Sequence, residues 1–205
     1  GTPPACVTAW AQEMMVNAGT ITWTGDGNFA SPHTSMLTNA AAGVFDIQGN
    51  GTVVWQAYAG YGMPTIANAG TLQKSAGTGT TTIGIRVTNT GTIDVQSGTL
   101  LITGPFTNTG AATAQTGSIL RVAGAGGGAS TGSFTAASVG TIEFSGGSST
   151  LSGLLTSAAG GTINLSGGTT TLNTGATFTG AGLNEITGGT VTLAGTVAAP
   201  NLTIA

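Results

Sequence analysis

Residues 89–110 read Asn89-Thr-Gly91-Thr-Ile93-Asp-Val95-Gln-Ser-Gly98-Thr-Leu100-Leu-Ile102-Thr-Gly-Pro-Phe106-Thr-Asn108-Thr-Gly110. Successive side chains of a strand point to opposite faces, so Ile93 and Val95 share one side while Thr92 and Asp94 share the other. Asn-Thr-Gly opens the stretch and closes it, and Asn and Gly are the residue types that tolerate the backbone of a sharp corner. A strand, a corner, a second strand and the same corner again describe one rung of a coil.

Working outward, a small pair followed by apolar, any, apolar occurs eight times. The copies are Gly19-Thr-Ile-Thr-Trp23, Gly43-Val-Phe-Asp-Ile47, Gly70-Thr-Leu-Gln-Lys74, Gly91-Thr-Ile-Asp-Val95, Gly110-Ala-Ala-Thr-Ala114, Gly140-Thr-Ile-Glu-Phe144, Gly161-Thr-Ile-Asn-Leu165 and Gly189-Thr-Val-Thr-Leu193. They recur every 19 to 30 positions, the spacing of a solenoid repeat. Apolar-x-Asn-x-Gly corners precede the strands at Asn17, Asn68, Asn89 and Asn108, and second segments such as Gly98–Ile102, Gly117–Val122 and Gly168–Leu172 follow them. Stacked corners would bring Asn68, Asn89 and Asn108 into a hydrogen-bonded ladder along the axis. The expected fold is therefore all-β, a single-domain parallel β-helix of about 20 residues per rung, with right-handed crossovers. Eight or nine rungs at about 4.8 Å make a rod on the order of 40 Å long. An antiparallel sandwich would instead show hairpin signals every 8 to 12 residues or so, without fixed residue columns.

Composition fits this reading. Of 205 residues 37 are Gly, and only 4% are charged, against 40% hydrophobic. Apolar content at strand spacing excludes disorder, and Thr, Ser and Asn supply the polar surface that charge normally supplies. The cations are Lys74, Arg86 and Arg121 in a chain of net charge −3, so there is no basic stripe for nucleic acid. No apolar run is long enough for a transmembrane segment, and nothing at Gly1 reads as a charged and then apolar leader, so a mature secreted form or a fragment is expected. Cys6 stands alone and makes no internal disulfide. The sequons at Asn50, Asn164 and Asn201 are what a Thr-rich chain yields by chance.

The strings 68–83 and 89–100 resemble repeats of bacterial surface and secreted β-solenoid proteins, the group of autotransporter passengers and filamentous haemagglutinin-like adhesins. The resemblance runs from about Asn17 onward. It implies a bacterial chain located extracellularly or on the cell surface, and it carries over no catalytic motif.

Two stretches depart from the repeat. Residues 49–65 read as an aromatic insertion, Gly-Asn-Gly-Thr-Val-Val-Trp55 followed by Tyr58, Tyr61 and Met63-Pro64, and residues 1–14 as a terminal segment within a domain spanning 1–205. Trp10, Trp55, Tyr58 and Tyr61 gather near one end, where aromatics cover the first rungs, meet a partner or stack on sugars. The run Gly124–Gly128 marks a lengthened corner.

Catalysis is not expected. Asp46, Asp94 and Glu143 share the middle, outward position of the motif and would form one column, but Gln73 and Thr113 intervene, spacing neighbouring acids by about 9.6 Å. That is near the upper limit for an inverting glycosidase, with no clustered acids for calcium and no adjacent cation. The single His33 supports neither a histidine metal site nor a serine triad, so no cofactor or metal is expected. A water-ordering Thr array, from Thr20/Thr22 to Thr190/Thr192, would be interrupted in the same column by Asp46, Gln73, Asp94, Glu143 and Asn164.

Met15-Val-Asn17 already fits the repeat, and Asn201-Leu-Thr-Ile-Ala205 is still in strand register. An open end of this kind, presenting Leu202 and Ile204, would dock head to tail on a second copy and grow a filament. The function expected is a non-enzymatic extracellular fibre protein with itself as partner. The alternatives are a stalk or passenger segment of an adhesin that binds surface glycans or other cells through aromatic loops, and a polysaccharide-degrading β-helix.

Overall fold

A computed structural model describes residues 7–8, 14–31, 34–57 and 60–205. Among them the chain forms twenty-seven strands and no helix, so none is long and apolar enough to cross a membrane. The strands wind into a parallel β-solenoid of about nine turns, roughly 21 residues apart.

Each turn has three sides. Face 1 is a ten-stranded sheet from Val7–Thr8 to Leu202–Ile204, and face 2 an eight-stranded sheet from Thr20–Trp23 to Thr177–Thr179. Face 3 is divided into five strands from Met14–Asn17 to Phe106–Asn108 and four from Ala129–Ser130 to Thr190–Leu193. A representative turn runs Arg86–Asn89 on face 3, Thr92–Val95 on face 2 and Thr99–Ile102 on face 1. The next turn pairs with it in parallel, Asn89 on Asn108, Ile93 on Ala112 and Leu100 on Leu120. Face 3 divides after the Gly124–Gly128 corner. There the hydroxyls of Thr107 and Ser130 accept the Gly128 and Asn108 N–H groups at 2.7 and 3.0 Å, in place of regular strand pairing.

The alternation expected of the motif is present, with Ile93, Val95, Leu100, Ile102 and Val87 fully buried. Large and small residues complement one another along a column. Ala112 and Ala114 leave room that Phe134 fills, edge-on to Phe144 at 5.2 Å and to Phe106 at 6.4 Å. Edge-to-face rings gain beyond their buried area.

The eight motif copies do not form one column. Those at Gly19, Gly43, Gly70, Gly91 and Gly110 lie on face 2, those at Gly140 and Gly161 on face 1, and that at Gly189 on face 3. Face 2 is completed instead by Ser133–Ala136, Leu154–Ser157 and Thr177–Thr179. The reason is local: any strand buried on one side needs the same alternation, whichever face it builds. The 49–65 stretch is also partly regular. Thr52–Trp55 is an ordinary face 1 strand, paired with Phe29–Ser31 and through Thr52 and Val53 with Thr80–Ile83, which leaves 56–64 as the extra length.

Glycine at the Asn-x-Gly corner has a different role from the one its sequence context predicts. Gly91 does not adopt positive φ; a Cβ there would run into the Gly70 carbonyl and the Ala69 backbone of the turn below. Close stacking, not handedness, demands the glycine. The left-handed conformation is found at other glycines, among them those of the corner between faces 2 and 1, where Gly117 has φ +74° and Gly160 +80°.

Between those two glycines sits Val139 at φ 59°, the single non-glycine residue of positive φ among those described. It is 64% exposed, so little packing offsets a left-handed conformation that costs an L-residue about 1–2 kcal/mol. Val139→Gly should therefore stabilise the rod by about 1 kcal/mol, after subtracting the entropy a glycine loses on folding. A denaturation midpoint that falls in this variant would show that the valine side chain contributes more than its backbone strain costs.

Candidate functional site

The most ordered polar feature is internal. Asn17, Asn39, Asn68, Asn89 and Asn108 end successive strands of face 3 and are all buried. Each of the first four donates a side-chain N–H to the next Oδ1, at 2.7, 2.7, 2.6 and 2.7 Å, across 22, 29, 21 and 19 residues of chain. The same amides donate to backbone carbonyls of the following strand, Asn68 to Thr92 and Asn89 to Ala111. A primary amide carries both donor and acceptor, so identical copies satisfy each other at every step. Asn39 was missed by the corner pattern because its glycine, Gly43, comes four residues later. The signal was nevertheless there, since Leu37-Thr-Asn39 matches Val87-Thr-Asn89 and Phe106-Thr-Asn108.

The acids are dispersed further than the sequence implies. Asp46 and Asp94 share the outward side of face 2, with Gln73 between them. Glu143 is on face 1, stacked between Arg121 and Asn164, because its motif copy belongs to that sheet. Every one of these carboxylates has a local partner. Gln48 donates to Asp46 at 2.8 Å, Gln96 and Gln115 to Asp94 at 2.7 Å, and Arg121 and Ser166 to Glu143 at 2.6 and 2.7 Å. Burial alone would raise the Asp46 carboxyl, but hydrogen bonding from Ser75, Gln48 and Gln73 outweighs it and holds the group below the ordinary aspartate value. No group of three or more His, Cys, Asp or Glu that could hold a metal occurs among the described residues.

The hydroxyl columns are also reassigned. Thr20/Thr22 stand on face 2 and Thr190/Thr192 on face 3, stacked on Thr169/Thr171 and Ser148/Thr150. Asp46, Gln73 and Asp94 interrupt only the first of these, which resumes as Thr113, Thr135, Thr156 and Thr179.

The aromatics divide between filling and surface. Trp23 is buried and meets Phe29 edge-on at 4.6 Å. Trp55 is half-buried against the core, its indole N–H without an acceptor among the described residues. Tyr61 is 38% exposed. At the other end Leu202 packs half-buried on the core while Ile204 is 78% exposed. Trp10, Tyr58, His33 and Cys6 lie outside the described residues. A cleft of about 250 Å³ beside Trp23 and Phe29 is smaller than the usual small-molecule pocket.

One charged group was overlooked. Lys74 fills the inward slot occupied by Ile47 one turn before and Val95 one turn after, and it is fully buried. Its Nζ donates to the carbonyls of Gly49 and Ala76 at 2.8 and 2.9 Å and lies 3.5 Å from Asn50 Oδ1. Burial pulls it below the ordinary lysine range, and the nearby Asp26 carboxylate offsets part of that shift. The period-2 pattern places Lys74 inward, but not its neighbours, which come from other turns.

Comparison with protein-family models, with curated proteins and with solved structures found no match to this chain.

An interior member of the ladder has more to lose than an end member. Asn89→Ala strands the Asn68 donor and the Asn108 acceptor and should cost about 2–4 kcal/mol, more than Asn17→Ala; equal, sub-kilocalorie losses in chemical denaturation would mean that the ladder is not coupled. Acid provides a second check. A depressed carboxylate contributes its full stability above the unfolded value of 3.8 and loses it as pH falls through the lower folded value. Asp46→Asn should consequently narrow the stability difference between neutral and acid pH, as read by unfolding midpoints across that range.

Proposed function

We propose that the chain is a non-catalytic structural rod of a bacterial cell surface or extracellular matrix, and that it extends by stacking turn on turn into a fibre. The observation that supports this most is the constancy of the cross-section. Most turns lay one strand on each face in register with the last, the break in face 3 after Phe106–Asn108 apart, so a turn's edge has the backbone spacing and polar columns to receive another. Stacking between molecules needs no contact that stacking within one does not already use.

Surface chemistry supports the same reading. Among the residues discussed as chemical candidates, Asp46, Asp94 and Glu143 are engaged by neighbours, which leaves no convergent acid–base pair. With 4% charged residues, little like-charge repulsion opposes association. The turn carrying Thr190–Leu193 and Leu202–Ile204 presents Leu193 at 65% and Ile204 at 78% exposure, an apolar edge suited to a second copy.

A second reading makes the same coil a stalk or passenger segment of a larger adhesin, with glycans or other cells bound near 56–64. Exposed Tyr61 favours it. Negative-stain electron microscopy over a concentration series separates the two. The fibre reading expects long filaments that are lost in Leu193→Lys/Ile204→Lys, whereas separate rods at the highest concentration would defeat it.

A further inference from the structure

Asp26, Asn50 and Lys74 follow one another at intervals of 24 residues, one per turn, and meet at the corner between faces 2 and 1. Asn50 is held on both sides. Its backbone N–H donates to Asp26 Oδ1 at 2.7 Å, and its side-chain Oδ1 accepts the Gly79 N–H at 2.9 Å. The corner is kept open for these groups by glycine. A Cβ on Gly77 would lie 2.7 Å from Asn50 Oδ1 and 3.0 Å from Lys74 Nζ.

The Lys74 amine becomes a nucleophile when it gives up its proton. A neutral amine has two N–H bonds and one lone pair, and the carbonyls of Gly49 and Ala76 at 2.8 and 2.9 Å take the two N–H bonds. The third neighbour is the Asn50 carboxamide, whose Oδ1 is 3.5 Å away; its carbon is one C=O bond further on, so within about 4.7 Å. Burial that lowers the proton affinity of Lys74 increases the share of the amine that can attack.

We propose that Lys74 and Asn50 join in an intramolecular amide bond that staples two consecutive turns. Lys74 Nζ attacks Asn50 Cγ, forming the new C–N bond while negative charge gathers on Oδ1, where the Gly79 N–H stabilises it. A proton leaves the attacking nitrogen and reaches the departing amide nitrogen through the Asp26 carboxylate. The original C–N bond then breaks and ammonia is released. Nothing is oxidised or reduced. The product is one amide in place of another, and the chain is lighter by one ammonia.

Intact-mass measurement of the purified chain, followed by trypsin digestion after denaturation, tests this. The expected mass is one ammonia below that of the sequence, cleavage after Lys74 is lost, and the resulting tryptic peptide 1–86 carries a loop closed between Asn50 and Lys74, within which backbone fragmentation releases no ions. The full sequence mass with cleavage after Lys74 would overturn the proposal and leave Lys74 as an ammonium clasped by carbonyls. Asn50 precedes Gly51, so a succinimide at that bond would release the same ammonia; a mass loss that persists in Lys74→Arg would overturn the cross-link as well. The role of Asp26 is read separately, as a larger uncross-linked fraction in Asp26→Asn at matched time after synthesis.

Discussion

Parallel, in-register stacking at about 4.8 Å is the constraint on which this molecule depends. It makes the residue one turn away the nearest neighbour of every side chain, so each column must be built of groups that tolerate their own kind. Aliphatic and aromatic side chains do so by packing. Amides do so by hydrogen bonding, since Asn is donor and acceptor at once, and the buried run from Asn17 to Asn108 is the result. Where face 3 loses the amide, Ser130 takes over with a single hydroxyl, bonded to the Asn108 N–H.

Charge obeys the same rule in reverse. Like carboxylates on adjacent turns would repel across one strand spacing, and the outward columns separate or neutralise them. Gln73 stands between Asp46 and Asp94, and Arg121 and Asn164 flank Glu143. Low charge in this chain is thus a condition of the fold as well as of its surface. Lys74 is the exception that tests the rule: an amine in an apolar slot, tolerated because backbone carbonyls at the corner accept its N–H groups.

Corner glycines express the constraint in the backbone. At the Asn-x-Gly corner successive turns approach so closely that no Cβ fits, while at the corner between faces 2 and 1 the chain adopts a left-handed conformation, even with valine at 139. A solenoid assembled from nearest-neighbour contacts spreads its stability along the axis, so local strain at one corner is carried by the turns on either side.

Strand alternation, the parallel coil and the Asn68, Asn89 and Asn108 column were legible in the residues, because alternation is imposed locally by the pleat and a repeated corner repeats its environment. Membership of a face was not legible. Gly140 and Gly161 open strands on face 1 with the same motif that Gly91 opens on face 2, and the motif itself does not distinguish them; what they lack is the Asn that stands two residues before Gly91. Face is decided by the summed lengths of all intervening corners, which vary enough that consecutive ladder asparagines lie 19 to 29 residues apart. Only the assembled coil, by fixing those sums, moved Glu143 away from Asp94, carried Thr190 to a third face, and brought Asp26, Asn50 and Lys74 to a single corner.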